Sequence, residues 1–251
     1  MGWKKIMKAT ITHYSYQKLG HANHGWLDAR YHFSFVKYWN PKRTHFGMLR
    51  VINDDMVQAG RGFALHSHDN MEIITYVKTG AITHRDSMGN EGRTNAGDVQ
   101  VMSAGSGITH SEMNNEPIET TLYQIWIESH TQNVTPRWDA KEFPKETHSD
   151  GLLLLVSGQP EHKESGALFI HQDAAIYGGK IPKSSQFTQT IKHQAYVLAS
   201  KGGITLSLKE GASQTLTQGD GAEITNTKSF IITANSEAEI IVIDVPPDEQ
   251  N

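Results

Sequence analysis

The chain has 251 residues, enough to bury about three-quarters of its unfolded surface as one large β domain or two small ones, with no disulfide or partner needed. It contains no cysteine, which excludes thiolate metal sites, thiol nucleophiles and redox pairs, and fits a reducing cytoplasm. Its 23 basic and 27 acidic residues give a net charge of −4 with no long run of one sign, which argues against a nucleic-acid surface.

Along the chain, Met1 to Lys8 carries positive charge with no apolar stretch behind it, so no secretory signal is expected there, and Ile6 stands where a myristoylation motif needs Ser or Thr. No apolar run is long enough to span a membrane, and the protein is expected in the cytoplasm. The next stretch is rich in aromatics. Trp26, Phe33, Phe35, Tyr38 and Trp39 are expected to pack in a core, with a subset lining a pocket, and His21, His24 and His32 are expected to be structural.

Between Gly60 and Asn114 lie two pairs of metal-ligand type, His66-Ser67-His68 and, 42 residues after His68, His110-Ser111-Glu112. On a β-strand, residues two apart project to the same face, so each pair points to one side of a sheet. On a helix the same spacing would turn the two side chains apart. Two such pairs facing into a barrel place three imidazoles and one carboxylate around one ion. Isolated histidines such as His13, His45, His130, His148, His162, His171 and His193 are read as surface or hydrogen-bonded residues.

Short β-prone runs punctuated by glycine continue to the end of the chain, as in Ile73 to Val77 before Gly80, Leu122 to Ile127, Leu152 to Val156, the strictly alternating Ile204 to Leu208, and Ile240 to Ile243 before Pro246-Pro247. Asp86-Ser87-Met88-Gly89-Asn90 reads as a hairpin turn. There is a faint repeat: Gly80-Ala81-Ile82-Thr83 resembles Gly203-Ile204-Thr205, and Gly97-Asp98 is echoed by Gly219-Asp220, at offsets of 123 and 122. Two copies of one β unit follow, divided in the polar stretch from Thr131 to Asp150, with boundaries set at 1–135 and 136–251. Where the second copy should carry ligands it reads Phe187-Thr188-Gln189-Thr190-Ile191, so that copy is expected to hold no metal.

The spacing of Gly60, His66-x-His68, Glu72 and Gly80, followed by Gly97, Ser103-Ala104-Gly105, His110 and Asn114, resembles the two motifs of the cupin superfamily. It departs in having Ser103 for the usual proline and two extra residues before His110. Those departures, with Glu112 and the stretches Gly20 to Asp28, His32 to Phe35, Arg50 to Asp55, His84 to Asn90 and Leu122 to Trp126, resemble the pirin family from about Gly20 to Ile127.

The resemblance implies an all-β bicupin, two double-stranded β-helix (jelly-roll) barrels packed together. It implies His66, His68, His110 and Glu112 as metal ligands, with Glu72, whose place is a ligand in many cupins, read as an acid that orients a ligand or stands near the pocket, direct ligation being the alternative. Three imidazoles and a carboxylate suit one divalent transition metal; Fe(II) is expected, with Mn, Co, Ni, Cu or Zn as alternatives. Bacterial relatives in this family are associated with quercetin 2,3-dioxygenase activity, in which a flavonol ring opens with O₂ and releases carbon monoxide. In that reading the partners are a small aromatic polyphenol and O₂, and Glu112 also takes the substrate's proton. The alternative, from eukaryotic pirins, is a metal-dependent regulatory protein that binds a protein partner. An open pocket beside the ion would favour the enzyme, and an extended complementary surface the regulator.

Overall fold

The computed structural model describes residues 8–209 and 211–248; the expectations about the first seven residues lie outside them. The described chain is almost entirely strand, with two single-turn 3₁₀ segments, Tyr16–Lys18 and Pro160–His162. The strands form two sandwiches, each a seven-stranded sheet facing a four-stranded one. In the first, the four-stranded sheet contains Gly62–His68, Ile108–Met113, Ala81–Asp86 and Glu91–Asn95, in that order. In the second, the matching sheet contains Gln186–Thr190, Ser229–Ala234, Ile204–Ser207 and Ser213–Leu216. The architecture is the expected bicupin.

The two sandwiches meet through their seven-stranded sheets, and the largest apolar cluster lies between them. From the strand Thr120–Glu128, Tyr123, Ile125 and Ile127 join this cluster, packed with Tyr196, Leu198, Ile241 and Ile243 from the second half. The alternate residues, Leu122, Gln124 and Trp126, turn into the first sandwich. Both faces of this strand are therefore buried, which explains its near-continuous apolar sequence. Ala238–Val245 works the same way, with Ile241 and Ile243 between the sandwiches and Ile240 and Val242 inside the second.

The halves are also interlaced by strand exchange. Thr10–Tyr14 pairs antiparallel with Gly221–Thr225, so the chain's first described strand sits in the second sandwich's sheet. Beside it, buried Arg43 donates to Glu223 and, at 3.0 Å, to the Tyr196 hydroxyl, while Tyr14 donates to the other oxygen of Glu223 at 3.0 Å. His32 shares a 2.9 Å hydrogen bond with the same Tyr196 hydroxyl.

The internal repeat is present and its register is sharper than the sequence showed. The Gly97 N–H donates to Val77 O and the Gly219 N–H to Ala199 O, both at 2.7 Å, an offset of 122. Gly80 and Gly202 take nearly the same left-handed φ, +71° and +72°, so Gly80 corresponds to Gly202 and not to Gly203. In the hairpin that follows, Gly89 has φ +88° and the Asp86 carboxylate accepts the N–H groups of Met88 and Asn90 at 2.9 and 3.1 Å.

Candidate metal centre and aromatic cavity

His66 and His68 lie on Gly62–His68, and His110 and Glu112 on the adjacent antiparallel strand Ile108–Met113. The register sets His110 opposite His66, and then slips so that Glu112 faces Phe63. That bulge gives Gly62–His68 one extra residue, which lets Phe63 and His66 face inward together. One ring nitrogen from each of His66, His68 and His110 lies within 4.8 Å of the others. The ring centroids are 4.5 to 5.1 Å apart.

The hydrogen-bond pattern leaves ring nitrogens of this cluster without a partner. His66 donates Nδ1–H to the Ala64 carbonyl at 2.7 Å, which frees Nε2. His68 Nε2 and His110 Nε2 are buried with no partner. His84 donates Nε2–H to Asp86 at 2.8 Å, and its Nδ1 stands 3.5 Å from His110 Nδ1, at the long limit of a hydrogen bond. This relay fixes His110 with Nδ1 protonated and Nε2 free. Burial, reinforced by His66, lowers the His68 pKa to about 4. Burial, with His66, His68 and His84 adding to it, lowers His110 to about 3. Both are neutral near pH 7. Three clustered imidazoles, two of them with orphaned buried nitrogens, fit a divalent transition metal.

Glu112 lies in the wall of the same cavity, outside the three-imidazole cluster. Its carboxylate accepts from Thr75 Oγ1 at 2.9 Å, from Gln100 Nε2 at 2.5 Å and from Gln124 Nε2. Burial raises its pKa, opposed by those hydrogen bonds. Glu72 is fully buried on the strand Met71–Thr79, in step with Ile74 and Tyr76, whose side chains belong to the cluster between the sandwiches. It accepts from Ser103 Oγ at 2.7 Å, and the cavity is lined by Ile73 next to it rather than by Glu72.

The imidazoles stand in a cavity of about 430 Å³, open to solvent and walled by Trp26, Tyr31, Phe35, Phe63 and Trp126. Trp126 packs edge-on against His68 at 4.8 Å, Phe35 against Trp126 at 5.5 Å and Trp26 against Phe63 at 5.4 Å. Of the aromatic stretch, Trp26 and Phe35 thus reach the cavity, Phe33 packs between the sandwiches, Tyr38 packs against the Leu27 cluster and Trp39 is exposed. His24 lines the cavity, His21 pairs with Asp28 at 2.8 Å, and His32 is buried between the halves. Sequence reasoning missed His84, Asp86, Gln100 and Gln124. The pair His84-x-Asp86 has the same two-residue spacing as the ligand pairs and was the signal available.

Comparison with known proteins gives the family. The Pirin family pattern matches residues 12–127, and the quercetinase C-terminal cupin domain matches residues 154–245. A pirin-like protein from Caulobacter vibrioides is 44% identical over 230 residues, covering 91% of this chain and 97% of its own. Quercetin 2,3-dioxygenase from Escherichia coli is 39% identical over 231 residues, covering 91% and 95%. The crystal structure of the bacterial pirin YhhW from Escherichia coli in complex with nickel(II) superposes with a TM-score of 0.84 at 38% identity, covering 95% of this chain and all of that one. The chain belongs to the pirin family.

Proposed function

We propose that this protein is a metal-dependent dioxygenase that opens flavonols such as quercetin with O₂ and releases carbon monoxide, with His66, His68, His110 and Glu112 holding Fe(II). The observation that carries this reading is the three-imidazole cluster set in an aromatic-walled cavity of about 430 Å³ that is open to solvent. That volume lies within the range of small-molecule sites, and an open cavity beside the ligands is what turnover requires. The E. coli relative named quercetin 2,3-dioxygenase supports the substrate class.

Bound there, a divalent metal supplies Lewis acidity toward the flavonol's oxygens and a route for electrons toward O₂. The protein's own residues do the rest. Trp26, Phe63 and Trp126 present apolar faces and edges that hold a planar ring and exclude water. In this reading Glu112 accepts the proton of the substrate's 3-hydroxyl; burial raises its pKa, which favours proton uptake. Thr75, Gln100 and Gln124 fix the carboxylate's orientation while it does so. The cytoplasm is the proposed compartment, which a chain without cysteine fits but does not require.

The test is oxygen uptake and carbon monoxide release with quercetin after reconstitution with Fe, Mn, Co, Ni or Cu. Uptake with loss of the flavonol's absorption supports the reading. No uptake with any flavonol in any metal form overturns it in favour of the partner-binding regulator.

A further inference from the structure

Asn53 and Asp55 stand two apart on Leu49–Val57 and face the same side, opposite Gln124 and Leu122 in the ladder. That side is the interior of the first sandwich, and both residues line the cavity. They sit on the seven-stranded sheet, whereas the three histidines sit on the four-stranded sheet across from it. Asn53 is 4% exposed and Asp55 2%, and Oδ1 of each is buried with no hydrogen-bond partner. Two adjacent acceptors left buried without a donor cost stability, and in a cavity wall a ligand's donor is the explanation such a pair calls for.

We propose that Asn53 and Asp55 form a hydroxyl-recognising subsite in which Asp55 Oδ1 takes the O–H of a phenolic ring held between the aromatic walls, with Asn53 Oδ1 beside it, on the sheet opposite the one that carries the imidazoles. This rests on the reading of the cavity as a polyphenol site and narrows it. The preferred substrates carry a ring hydroxyl besides the one that faces the metal, because a donor-lacking analogue would leave both acceptors buried and unpaired. Asn53 and Asp55 are positioning residues in this scheme, selecting and orienting the ring without entering the chemistry.

The experiment uses minimal probes, so that it does not depend on flavonol turnover. Binding of 2-naphthol and of its methyl ether is measured by titration calorimetry on nickel-loaded and metal-free protein, with wild type, Asp55→Leu and Asp55→Asn. The wild type is expected to prefer the naphthol by about tenfold in both metal states, as a single satisfied acceptor site would give. Asp55→Leu, which fills the same wall without an acceptor, should bring the two affinities together with metal content unchanged. Asp55→Asn, which keeps Oδ1, should retain the preference and guards against a folding defect in the leucine variant. Equal affinities in the wild type, or a preference that survives Asp55→Leu, overturns the subsite. A preference that vanishes in Asp55→Leu while quercetin consumes no O₂ in any metal form upholds the subsite and overturns the flavonol reading alone.

Discussion

The two sandwiches share one frame and differ in what fills it. Following the ladder hydrogen bonds from the matched hairpins, Thr75 corresponds to Val197, His84 to Leu206, Thr94 to Leu216, Gln100 to Ala222 and Gln124 to Val242. Continuing across the four-stranded sheets, Glu112 corresponds to Ile232, His110 to Phe230 and His66 to Gln189. Apart from Gln189, the second-half residues all belong to one apolar cluster. The frame is held by turn glycines and strand pairing, which both halves keep. Interior residue type decides whether the barrel is a site or a core, and filling the interior with Val, Leu, Ile and Phe removes the ligands, their hydrogen-bonding partners and the cavity together.

The largest effect should come from giving the first interior the second one's residues. His68→Ile with His110→Phe replaces two ligands by the apolar types found at or next to the matching places. Metal content, measured by elemental analysis, should fall to background and turnover with it, while the melting temperature should hold, since two buried imidazoles with orphaned nitrogens are removed. Retention of the metal would break the assignment of the site.

The next largest effect concerns the face the sandwiches share. A chain ending near Asp150 would expose Tyr123, Ile125 and Ile127 and leave Thr10–Tyr14 without its partner strand. Such a fragment should aggregate, because it presents a contiguous apolar sheet face and not merely an unpaired edge. Within the intact chain, Ile125→Ala should cost about 2–5 kcal/mol in urea unfolding. A soluble, monomeric fragment would show that the second sandwich is dispensable to the first.

Much of this was legible in the sequence, and the illegible parts share a physical cause. Alternation and turn glycines mark the strands, and the spacing of His66-x-His68 and His110-x-Glu112 marks side chains that line one cavity, because strand geometry converts a separation of two into a shared face. The destination of Thr10–Tyr14 depends on a partner more than 200 residues away and leaves no local trace. Gly202 and Gly203 are equivalent as letters, and only backbone conformation shows which one turns. Gln100 and Gln124 lie inside apolar strands, where a glutamine reads as an interruption until the register places it on Glu112. Glu72 alternates with Ile73 along its strand, so it shares the face of Ile74 and Tyr76 and turns toward the cluster between the sandwiches, away from the cavity.

A smaller effect distinguishes the shared face by pH. Burial, with Arg43 and Lys78 adding to it, lowers the His32 pKa to about 3 from an ordinary 6.5. Between those values the unfolded chain binds a proton at this position that the folded chain does not, so folding stability falls as pH is lowered through the window and levels off above it. The expected slope from this one group is about 1.4 kcal/mol per pH unit. His32→Asn, which keeps a side-chain atom near the Tyr196 hydroxyl but cannot be protonated, should flatten the urea-midpoint curve between about pH 3.5 and 6 relative to wild type. Parallel curves for the two proteins would show that His32 carries no such linkage.

The smallest effect, and the one that separates the two carboxylates, is Glu72→Gln. Glu72 accepts from Ser103 and faces the cluster between the sandwiches, whereas Glu112 faces the cavity. Burial raises the Glu72 pKa, partly offset by Ser103, so a neutral amide of the same shape should be accommodated with a change of about 1 kcal/mol or less. Metal content and turnover should both stay within about fivefold of wild type, the margin that a change of about 1 kcal/mol allows. Glu112→Gln should behave differently: it keeps the shape of the side chain but removes the proton acceptor and sets an amide against the donors of Thr75, Gln100 and Gln124, so turnover should fall far more than substrate affinity. Loss of metal in Glu72→Gln, with Glu112→Gln unaffected, would exchange the two roles and place the ligand carboxylate on the first motif.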